Sequence, residues 1–245
     1  MNLKDKIVLI TGGSGGIGKA IVMAFAKEGC SVIFTYNLKR KESEDIVKEI
    51  EPLGVKVLPI KVDMRSEDDI NKLFKYIMEN FKTLDILINN VGVNGFNKLF
   101  DMGVWKEVFQ VNLFSTVFCT GKAVELMKNG GKILNISSIY AEGKICCKEF
   151  PAYGASKAAV SHFTQMMAKN LSPKILINAI APGYVKTPSW KGTSEEDITK
   201  SEREQLIERL ILPEEIAEMA IAIVKNDAMT GEVVVIDGGL SLKTV

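Results

Sequence analysis

The 245-residue chain is poor in metal-binding side chains, because it contains only one histidine, His162. A site built from several histidines is therefore excluded. The four cysteines are Cys30, Cys119, Cys146 and Cys147, and no two of them form a Cys-x-x-Cys pair, so the usual zinc spacings are missing. We predict four reduced thiols that serve as packing residues, and no metal site.

The chain also lacks an excess of charge and a long apolar run. It has 31 basic and 30 acidic residues, which disfavours nucleic acid or a membrane surface as a partner. The longest uncharged run, residues 108–121, is too short to span a membrane. The first apolar run, residues 7–10, is too short for a signal peptide. These absences predict a cytoplasmic protein.

Short runs rich in Val and Ile alternate with longer amphipathic stretches, which predicts a doubly wound α/β fold. Several runs are apolar at consecutive positions, as in parallel strands that helices cover on both faces. The pattern predicts one domain over residues 1–245, with a seven-stranded parallel sheet. The predicted strands are residues 7–10, 31–36, 55–60, 85–90, 132–137, 175–180 and 232–237.

One segment breaks this alternation. Residues 186–212 are polar and poor in β-forming residues, and they separate the last two predicted strands. Long connections of this kind are often lids or binding loops, so we expect a substrate lid here. A pair of surface helices is the alternative interpretation.

A glycine-rich loop follows the first strand. The sequence TGGSGGIG, residues 11–18, fits two glycine registers, one with Gly13, Gly15 and Gly18 and one with Gly12, Gly16 and Gly18. In both, the backbone can approach a pyrophosphate at the start of a helix. Because the loop joins a strand to a helix, we predict a dinucleotide site of the Rossmann type. A glycine-rich turn without a ligand is the alternative.

The end of the second strand bears on the choice of dinucleotide. An acidic residue there would bind the ribose 2′-hydroxyl of NAD. The chain instead continues with Lys39 and Arg40 before its first acid, Glu42. Two cations favour a 2′-phosphate, so we predict NADP, with NAD possible. The two cations could instead be a solvated helix start.

The stretch PAYGASKAA, residues 151–159, places Tyr153 and Lys157 four residues apart. On a helix they would share one face, and a fixed ammonium would lower the pKa of the phenol. Such a tyrosine could exchange a proton with a substrate oxygen. Ser137 and Ser138 follow the fifth predicted strand, where a hydroxyl could bond a carbonyl oxygen. A surface helix with an extended lysine is the alternative.

Together these motifs resemble the short-chain dehydrogenase/reductase superfamily along nearly the whole chain. Further matches, in the family's order, are Asp63, the stretch Asn89-Asn90-Val91-Gly92, Asn112, residues 178–187 and residues 236–239. The resemblance implies four catalytic residues, with Asn112 positioning a water, Ser138 orienting the carbonyl, Tyr153 as acid/base and Lys157 holding the nicotinamide ribose. The cofactor-binding residues it implies are Thr11, Gly12, Ser14, Gly16, Ile17, Gly18, Tyr36, Asn37, Lys39, Arg40, Asp63, Met64, Asn90, Val91, Gly92, Tyr153, Lys157, Pro182, Gly183, Val185 and Thr187.

Within the superfamily the chain is most similar to the 3-oxoacyl-[acyl-carrier-protein] reductases. This implies hydride transfer between a nicotinamide and the carbonyl of an acyl thioester, in fatty acid biosynthesis, by a homotetramer or homodimer. A sugar, polyol or cyclic-ketone dehydrogenase is the alternative, followed by a dehydratase or epimerase and by a non-catalytic dinucleotide-binding protein. Two departures from the family pattern are Gly15, where many NADP-dependent relatives have arginine, and extra residues at 142–147.

Overall fold

The computed structural model describes residues 1–96, 98–143, 145–146 and 148–243. All strands of its seven-stranded sheet are parallel, in the order β3-β2-β1-β4-β5-β6-β7, which confirms the predicted fold. The strands are β1 (Ile7–Ile10), β2 (Ser31–Tyr36), β3 (Val57–Lys61), β4 (Ile86–Asn89), β5 (Gly131–Ile136), β6 (Ile175–Pro182) and β7 (Val233–Ile236).

The consecutive apolar residues of the strands supply two cores, one on each face of the sheet. Val8 and Ile10 of β1 belong to a cluster with residues of the helices on one face, whereas Leu9 belongs to the cluster on the other face. Successive side chains of a strand point to opposite faces, so a strand covered on both sides must be apolar throughout. This explains why the strand signal in the sequence is a run and not an alternation.

The described part of the chain contains eight α-helices. They are α1 (Gly16–Lys27), α2 (Arg40–Ile50), α3 (Glu67–Phe81), α4 (Met102–Phe109), α5 (Ser115–Leu126), α6 (Pro151–Leu171), α7 (Glu195–Glu204) and α8 (Pro213–Lys225). Side chains of Ser66, Asp101 and Ser194 accept backbone hydrogen bonds at the starts of α3, α4 and α7. A π-helical turn, Gln110–Phe114, joins α4 to α5.

The segment 186–212 contains a short 3-10 turn, Pro188–Trp190, and the helix α7. The segment is partly helical, as the surface-helix interpretation expects. It also lines a cavity described below, as a lid would. Its role as a lid stays a prediction.

The cysteines of the described chain are all free thiols. Burial raises the pKa of Cys30 and of Cys119 to about 12, so both are unreactive packing residues. Cys146 is exposed, which differs from the packing role expected for it, and Cys147 lies outside the described residues. No described helix is both long enough and apolar enough to cross a membrane.

The strand order reverses direction between β1 and β4, since β2 and β3 lie on one side of β1 and β4 to β7 on the other. In an open parallel sheet, such a reversal leaves a crevice beyond the carboxyl ends of the strands, where ligands bind. The predicted site residues lie at or just after the carboxyl ends of β1 to β6, at the starts of α1 and α2, in the first two turns of α6, or in the π-helical turn. The fold therefore gathers them at one edge.

Candidate active site

The glycine loop after β1 ends at the start of α1. Gly12 and Gly16 have φ angles of 68° and 53°, a region that favours glycine. No side chain caps the N-terminus of α1, and its first turn has no acidic residue. Its backbone N–H groups and the helix dipole therefore favour an anion. Ser14 lies in this loop, and Ile17 packs partly against the core.

Close backbone approach explains why the loop needs glycine. A Cβ at Gly18 would lie 2.1 Å from the carbonyl oxygen of Gly12. A Cβ at Gly12 would lie 2.7 Å from Val91 Cγ2, and one at Gly16 would lie 3.2 Å from Thr187 Cγ2. The loop thus runs between the segment after β4 and the segment after β6. These surroundings fit the pyrophosphate of a dinucleotide.

Thr11 and Asn90 tie the glycine loop to the end of β4. The Thr11 hydroxyl oxygen accepts hydrogen bonds from the backbone N–H groups of Asn90, at 3.0 Å, and Val91, at 3.2 Å. The Asn90 side chain donates to the carbonyl oxygens of Thr11 and Gly12, both at 3.0 Å. The side chains of these two predicted residues therefore stabilise the conformation of the glycine loop.

The residues predicted for the adenosine half follow β2 and β3. Among them, Lys39 places its Nζ 3.3 Å from the position that a Cβ at Gly15 would occupy. The Arg40 guanidinium instead bonds Glu44 at 2.9 Å on the exposed face of α2. Lys39, and not Arg40, is thus the cation beside the glycine loop. Tyr36 is half-buried and Asn37 is exposed at the end of β2.

Asp63 and Met64 follow β3. Two hydrogen bonds from the Arg65 guanidinium, 2.7 and 2.9 Å long, hold the Asp63 carboxylate and lower its pKa. Met64 is buried in the core between the sheet and α3. Its side chain is therefore a packing group, and only its backbone is free to face a cofactor.

Ser138, Tyr153 and Lys157 converge beyond the end of β5. Ser138 follows that strand, and Tyr153 lies in the first turn of α6 because Pro151 begins the helix. Lys157 comes one turn later, with its Nζ 5.8 Å from the centre of the Tyr153 ring. A Cβ at Gly92 would lie 3.3 Å from Lys157 Nζ, so the segment after β4 passes directly over the ammonium.

The electrostatics of this group differ from the sequence expectation. Burial raises the pKa of Tyr153, and a hydrogen bond with Ser138 opposes that effect in part. Burial also lowers the pKa of Lys157 to about 8. Burial dominates both shifts, so in the protein without a cofactor the pKa of the phenol lies above its ordinary value, and a lowering of that pKa by Lys157 stays a prediction. The neutral phenol is thus favoured, which suits a proton donor.

Asn112 lies in the π-helical turn and is fully buried. Its Oδ1 accepts from the N–H of Val93 at 2.8 Å, and its Nδ2 donates to Val93 O and to Ser156 Oγ, both at 2.9 Å. Ser156 in turn donates to the carbonyl oxygen of Tyr153 at 2.7 Å. The side chain therefore fixes the segment after β4 to the catalytic helix. The water-positioning role stays a prediction.

The last predicted segment follows β6. Pro182 pairs with Ile236 of β7, and a Cβ at Gly183 would lie 2.7 Å from the Cα of Asp237. Val185 is buried and belongs to the core. Of the predicted residues in this segment, only Thr187 contacts the glycine loop with its side chain, next to Gly16.

A cavity of about 1230 Å³ opens beside the catalytic group. Tyr140 and Tyr184 form one wall, and their hydroxyls are 3.3 Å apart. The Tyr140 ring also meets the Tyr153 ring edge-on, with 6.4 Å between centres. Charged residues of α7, of the loop before α6 and of the segment after the turn Leu240–Leu242 line the rim. They are Lys148, Glu149, Glu195, Glu196, Asp197, Lys200, Arg203, Glu204 and Lys243.

A model of the short chain dehydrogenases matches residues 6–198, the part that contains the glycine loop and the Ser138, Tyr153 and Lys157 group. The chain belongs to the short-chain dehydrogenase/reductase family. It is therefore an oxidoreductase that uses a nicotinamide dinucleotide, as its sequence and its site predict.

Relatives within the family act on different substrates. Glucose 1-dehydrogenase 2 of Bacillus subtilis is 32% identical, covering 98% of this chain and 96% of its own length. A 3-oxoacyl-[acyl-carrier-protein] reductase of Thermotoga maritima is 33% identical, covering 98% and 99%. The structure of L-sorbose reductase from Gluconobacter frateurii, complexed with NADPH and L-sorbose, is 26% identical with a TM-score of 0.91 and covers 100% of both chains.

The family motifs do not identify the residues that line the substrate side of the site. Tyr140 lies close to Ser138, and Tyr184 lies within the matched residues 178–187. Their aromatic rings beside these motifs are the signal that could have indicated a role on the substrate side. Gln205 gave no such signal, because it lies in a polar stretch. It is fully buried, and its side chain bonds the backbone of Tyr184 and Arg209.

Proposed function

We propose that this family member is an NADP(H)-preferring reductase that acts on the carbonyl of a 3-oxoacyl thioester. The observation that carries the proposal is the convergence of Ser138, Tyr153 and Lys157 beside a large cavity, with the glycine loop on the opposite side of the segment after β4. This arrangement brings a proton donor, a carbonyl-binding hydroxyl and a dinucleotide cradle to one edge of the sheet.

The roles of the three side chains follow from their surroundings. The bound dinucleotide supplies the hydride. Tyr153, kept neutral by burial, donates its proton to the substrate oxygen as negative charge develops there. Ser138, its hydrogen-bond partner, binds the same oxygen and orients the carbonyl. Lys157 holds the ribose, and its ammonium stabilises the phenolate that Tyr153 becomes once it has donated its proton.

The preference for NADP is supported by Lys39. Its ammonium lies beside Gly15, in the space that a side chain at that position would enter. Many NADP-dependent relatives have arginine where this chain has Gly15, so Lys39 supplies the positive charge from α2 instead. An ammonium at this point can bind a 2′-phosphate as a point charge.

The thioester substrate is supported by the size of the cavity and by one relative. About 1230 Å³ is more than a small keto acid or sugar needs, and it leaves room for an acyl chain and part of a carrier arm. The Thermotoga maritima relative carries the name of such a reductase.

A sugar, polyol or cyclic ketone is the second candidate substrate. The observation that favours it is the rim of the cavity, where carboxylates, ammonium groups and the phenols of Tyr140 and Tyr184 could bond several hydroxyls. The relatives named as a glucose dehydrogenase and an L-sorbose reductase point the same way. Among the described residues, the mixed charge of the rim also offers no basic patch for an acidic acyl carrier protein.

We further propose a cytoplasmic homotetramer or homodimer. The balanced charge of the chain supports the location. Phe114 at the end of the π-helical turn, Val117 on α5 and Met166 on α6 are exposed, and a second copy of the chain would cover these apolar side chains. Light scattering after size exclusion should give twice or four times 27.0 kDa.

The absorbance of NADPH and of NADH, measured separately, tests the proposal. The carbonyl panel contains an acetoacetyl thioester, a keto sugar, a cyclic ketone and a quinone. We expect oxidation of NADPH with the thioester, and loss of about 10²- to 10⁴-fold in kcat for Tyr153→Phe with the dissociation constant of NADPH within twofold. Tyr76→Phe, at an exposed position on α3, is the matched control.

If only the keto sugar or the cyclic ketone is reduced, the thioester proposal is wrong and the second candidate substrate takes its place. Turnover that survives Tyr153→Phe would overturn the proposed roles of the site. Tight NADPH binding with no turnover of any carbonyl would favour a non-catalytic protein.

A further inference from the structure

A chain of three polar side chains lies behind the catalytic group. Ser161 Oγ donates to Glu142 Oε1 at 3.1 Å, and it lies 2.7 Å from Ser137 Oγ. Ser137 Oγ can also donate to the backbone carbonyl oxygen of Lys157, at 3.1 Å. Both serines are buried and Glu142 is half-buried, so this row of hydrogen bonds runs from the protein surface to the backbone of a catalytic residue.

These hydrogen bonds join three separate elements. Ser137 is the residue before Ser138, and its own N–H pairs with the carbonyl of Ile180 at 2.7 Å, which fixes it to the sheet. Ser161 lies on α6, one turn after Lys157. Glu142 follows the short turn Ile139–Ala141 that Ser138 begins. The chain therefore connects the strand end that carries Ser138 to the helix that carries Tyr153 and Lys157.

The direction of the hydrogen bonds depends on the group at position 142. Each serine hydroxyl has a single proton to donate. When a carboxylate accepts the proton of Ser161, Ser137 donates mainly to Ser161 Oγ, which is 2.7 Å away. Its hydrogen bond to the carbonyl oxygen of Lys157, at 3.1 Å, is then the weaker one. An amide at position 142 could donate to Ser161, which reverses the chain and directs the Ser137 proton to Lys157.

We propose that Glu142 is a positioning residue for hydride transfer, which acts through Ser161 and Ser137 to hold Ser138 in register with Tyr153 and Lys157. Glu142 itself touches neither Ser138 nor the predicted cofactor residues through any described hydrogen bond or ion pair. Its effect should therefore fall on the rate of the chemical step, because small misplacements of reacting groups cost rate. The inference rests on the family's reaction and not on which carbonyl is the substrate.

The test compares the wild-type enzyme with Glu142→Ala, Ser161→Ala, the double variant and Glu142→Gln. Glu218→Gln, at an exposed position on α8, is the matched control. For each protein we would measure kcat and KM with a carbonyl that the wild type reduces, the dissociation constant of NADPH, and amide hydrogen exchange of residues 137–142 and 153–161 in the NADP-bound protein.

We expect Glu142→Ala and Ser161→Ala each to lower kcat about tenfold, because reacting groups must be held in a productive geometry. The double variant should lose no more than either single one, since both break the same chain. KM and the NADPH dissociation constant should change less than twofold. Glu142→Gln should restore kcat to within about twofold, because the reversed chain keeps every hydrogen bond.

The inference would be overturned by an unchanged kcat in Glu142→Ala, by additive losses in the double variant, or by Glu142→Gln behaving like Glu142→Ala. If no carbonyl in the panel is reduced by the wild type, the substrate proposal fails separately. Hydrogen exchange then decides, since faster exchange in both segments of Glu142→Ala supports the positioning role and unchanged exchange contradicts it.

Discussion

The ammonium of Lys157 donates a 2.6 Å hydrogen bond to the backbone carbonyl of Ile136 at the end of β5. Only 3% of the lysine is exposed, and burial lowers its pKa to about 8. A buried ammonium with one described hydrogen bond is well suited to donate to further acceptors. In the protein without a cofactor it is a source of instability.

Stability of the cofactor-free protein should therefore respond to pH through Lys157. Between the folded pKa of about 8 and the unfolded value of 10.5, the unfolded state binds more protons, so stability from this residue rises with pH. Relative to Lys157→Met, the wild type should gain up to about 3 kcal/mol across this window. Melting temperatures at pH 7.5 and pH 10 test this, with exposed Lys169→Met as control. A difference that does not change with pH would contradict it.

Cofactor preference should depend on Lys39 more than on its neighbours. Lys39→Ala should raise the KM for NADPH about tenfold and leave that for NADH within twofold, because one charge-assisted contact to a phosphate is lost. Lys41→Ala, at an exposed position two residues further along the chain, is the control. Arg40→Ala should have the smaller effect, since its guanidinium is bound to Glu44. Equal losses with NADPH and NADH would exclude a role in 2′-phosphate binding.

Most of the fold was predictable from the sequence, because buried parallel strands have to be continuous apolar runs. The observed strand boundaries differ from the predicted ones where strand pairing, and not composition, sets them. β3 starts at Val57, the first residue that pairs with β2, and β6 extends to Pro182 because β7 continues beside it. The π-helical turn around Asn112 was not predicted, since no local pattern in the sequence indicates one.

The site was predictable where it is encoded locally. Tyr153 and Lys157 share a helix face by spacing alone, and the glycines are explained by backbone contacts. The pKa of Tyr153 was not predictable in this way, because it depends on how deeply the folded chain buries the phenol. The roles of Gln205 and Glu142 were hidden for a similar reason, since Gln205 bonds Tyr184, 21 residues away in sequence, and Glu142 bonds Ser161, 19 residues away.

Glycine should be required at position 18 and dispensable at position 121. Gly18→Ala would place a Cβ 2.1 Å from the Gly12 carbonyl, so the glycine loop must move. We expect a loss of about 1–3 kcal/mol in stability and the loss of measurable NADPH binding. Gly121 lies inside α5, and a Cβ added there would meet no atom of the same copy of the chain within 4 Å, so Gly121→Ala should add about 0.5–1 kcal/mol to the stability of that copy. Chemical denaturation and NADPH fluorescence would measure both effects.

Gln205 should couple the segment 186–212 to the catalytic edge. Its Oε1 accepts from the N–H of Tyr184 at 3.1 Å, and its Nε2 donates to the carbonyl of Arg209 at 2.5 Å. Gln205→Ala removes both hydrogen bonds from these partly buried backbone groups, which should cost about 1–3 kcal/mol in stability. Because Tyr184 forms a wall of the cavity, the KM for the carbonyl should rise while the NADPH dissociation constant stays within twofold.

Gln205→Glu separates the hydrogen-bond contribution from the packing contribution. The carboxylate keeps the shape and the acceptor for Tyr184, but it places a negative oxygen against the carbonyl of Arg209, where the native amide donates. It should therefore destabilise the protein at least as much as Gln205→Ala at neutral pH, and less at low pH, where the acid is protonated and can donate. Gln110→Ala, which loses only a 3.4 Å bond to Arg65, is the control. A Gln205→Glu variant as stable as the wild type at pH 7 would show that packing alone holds this segment in place.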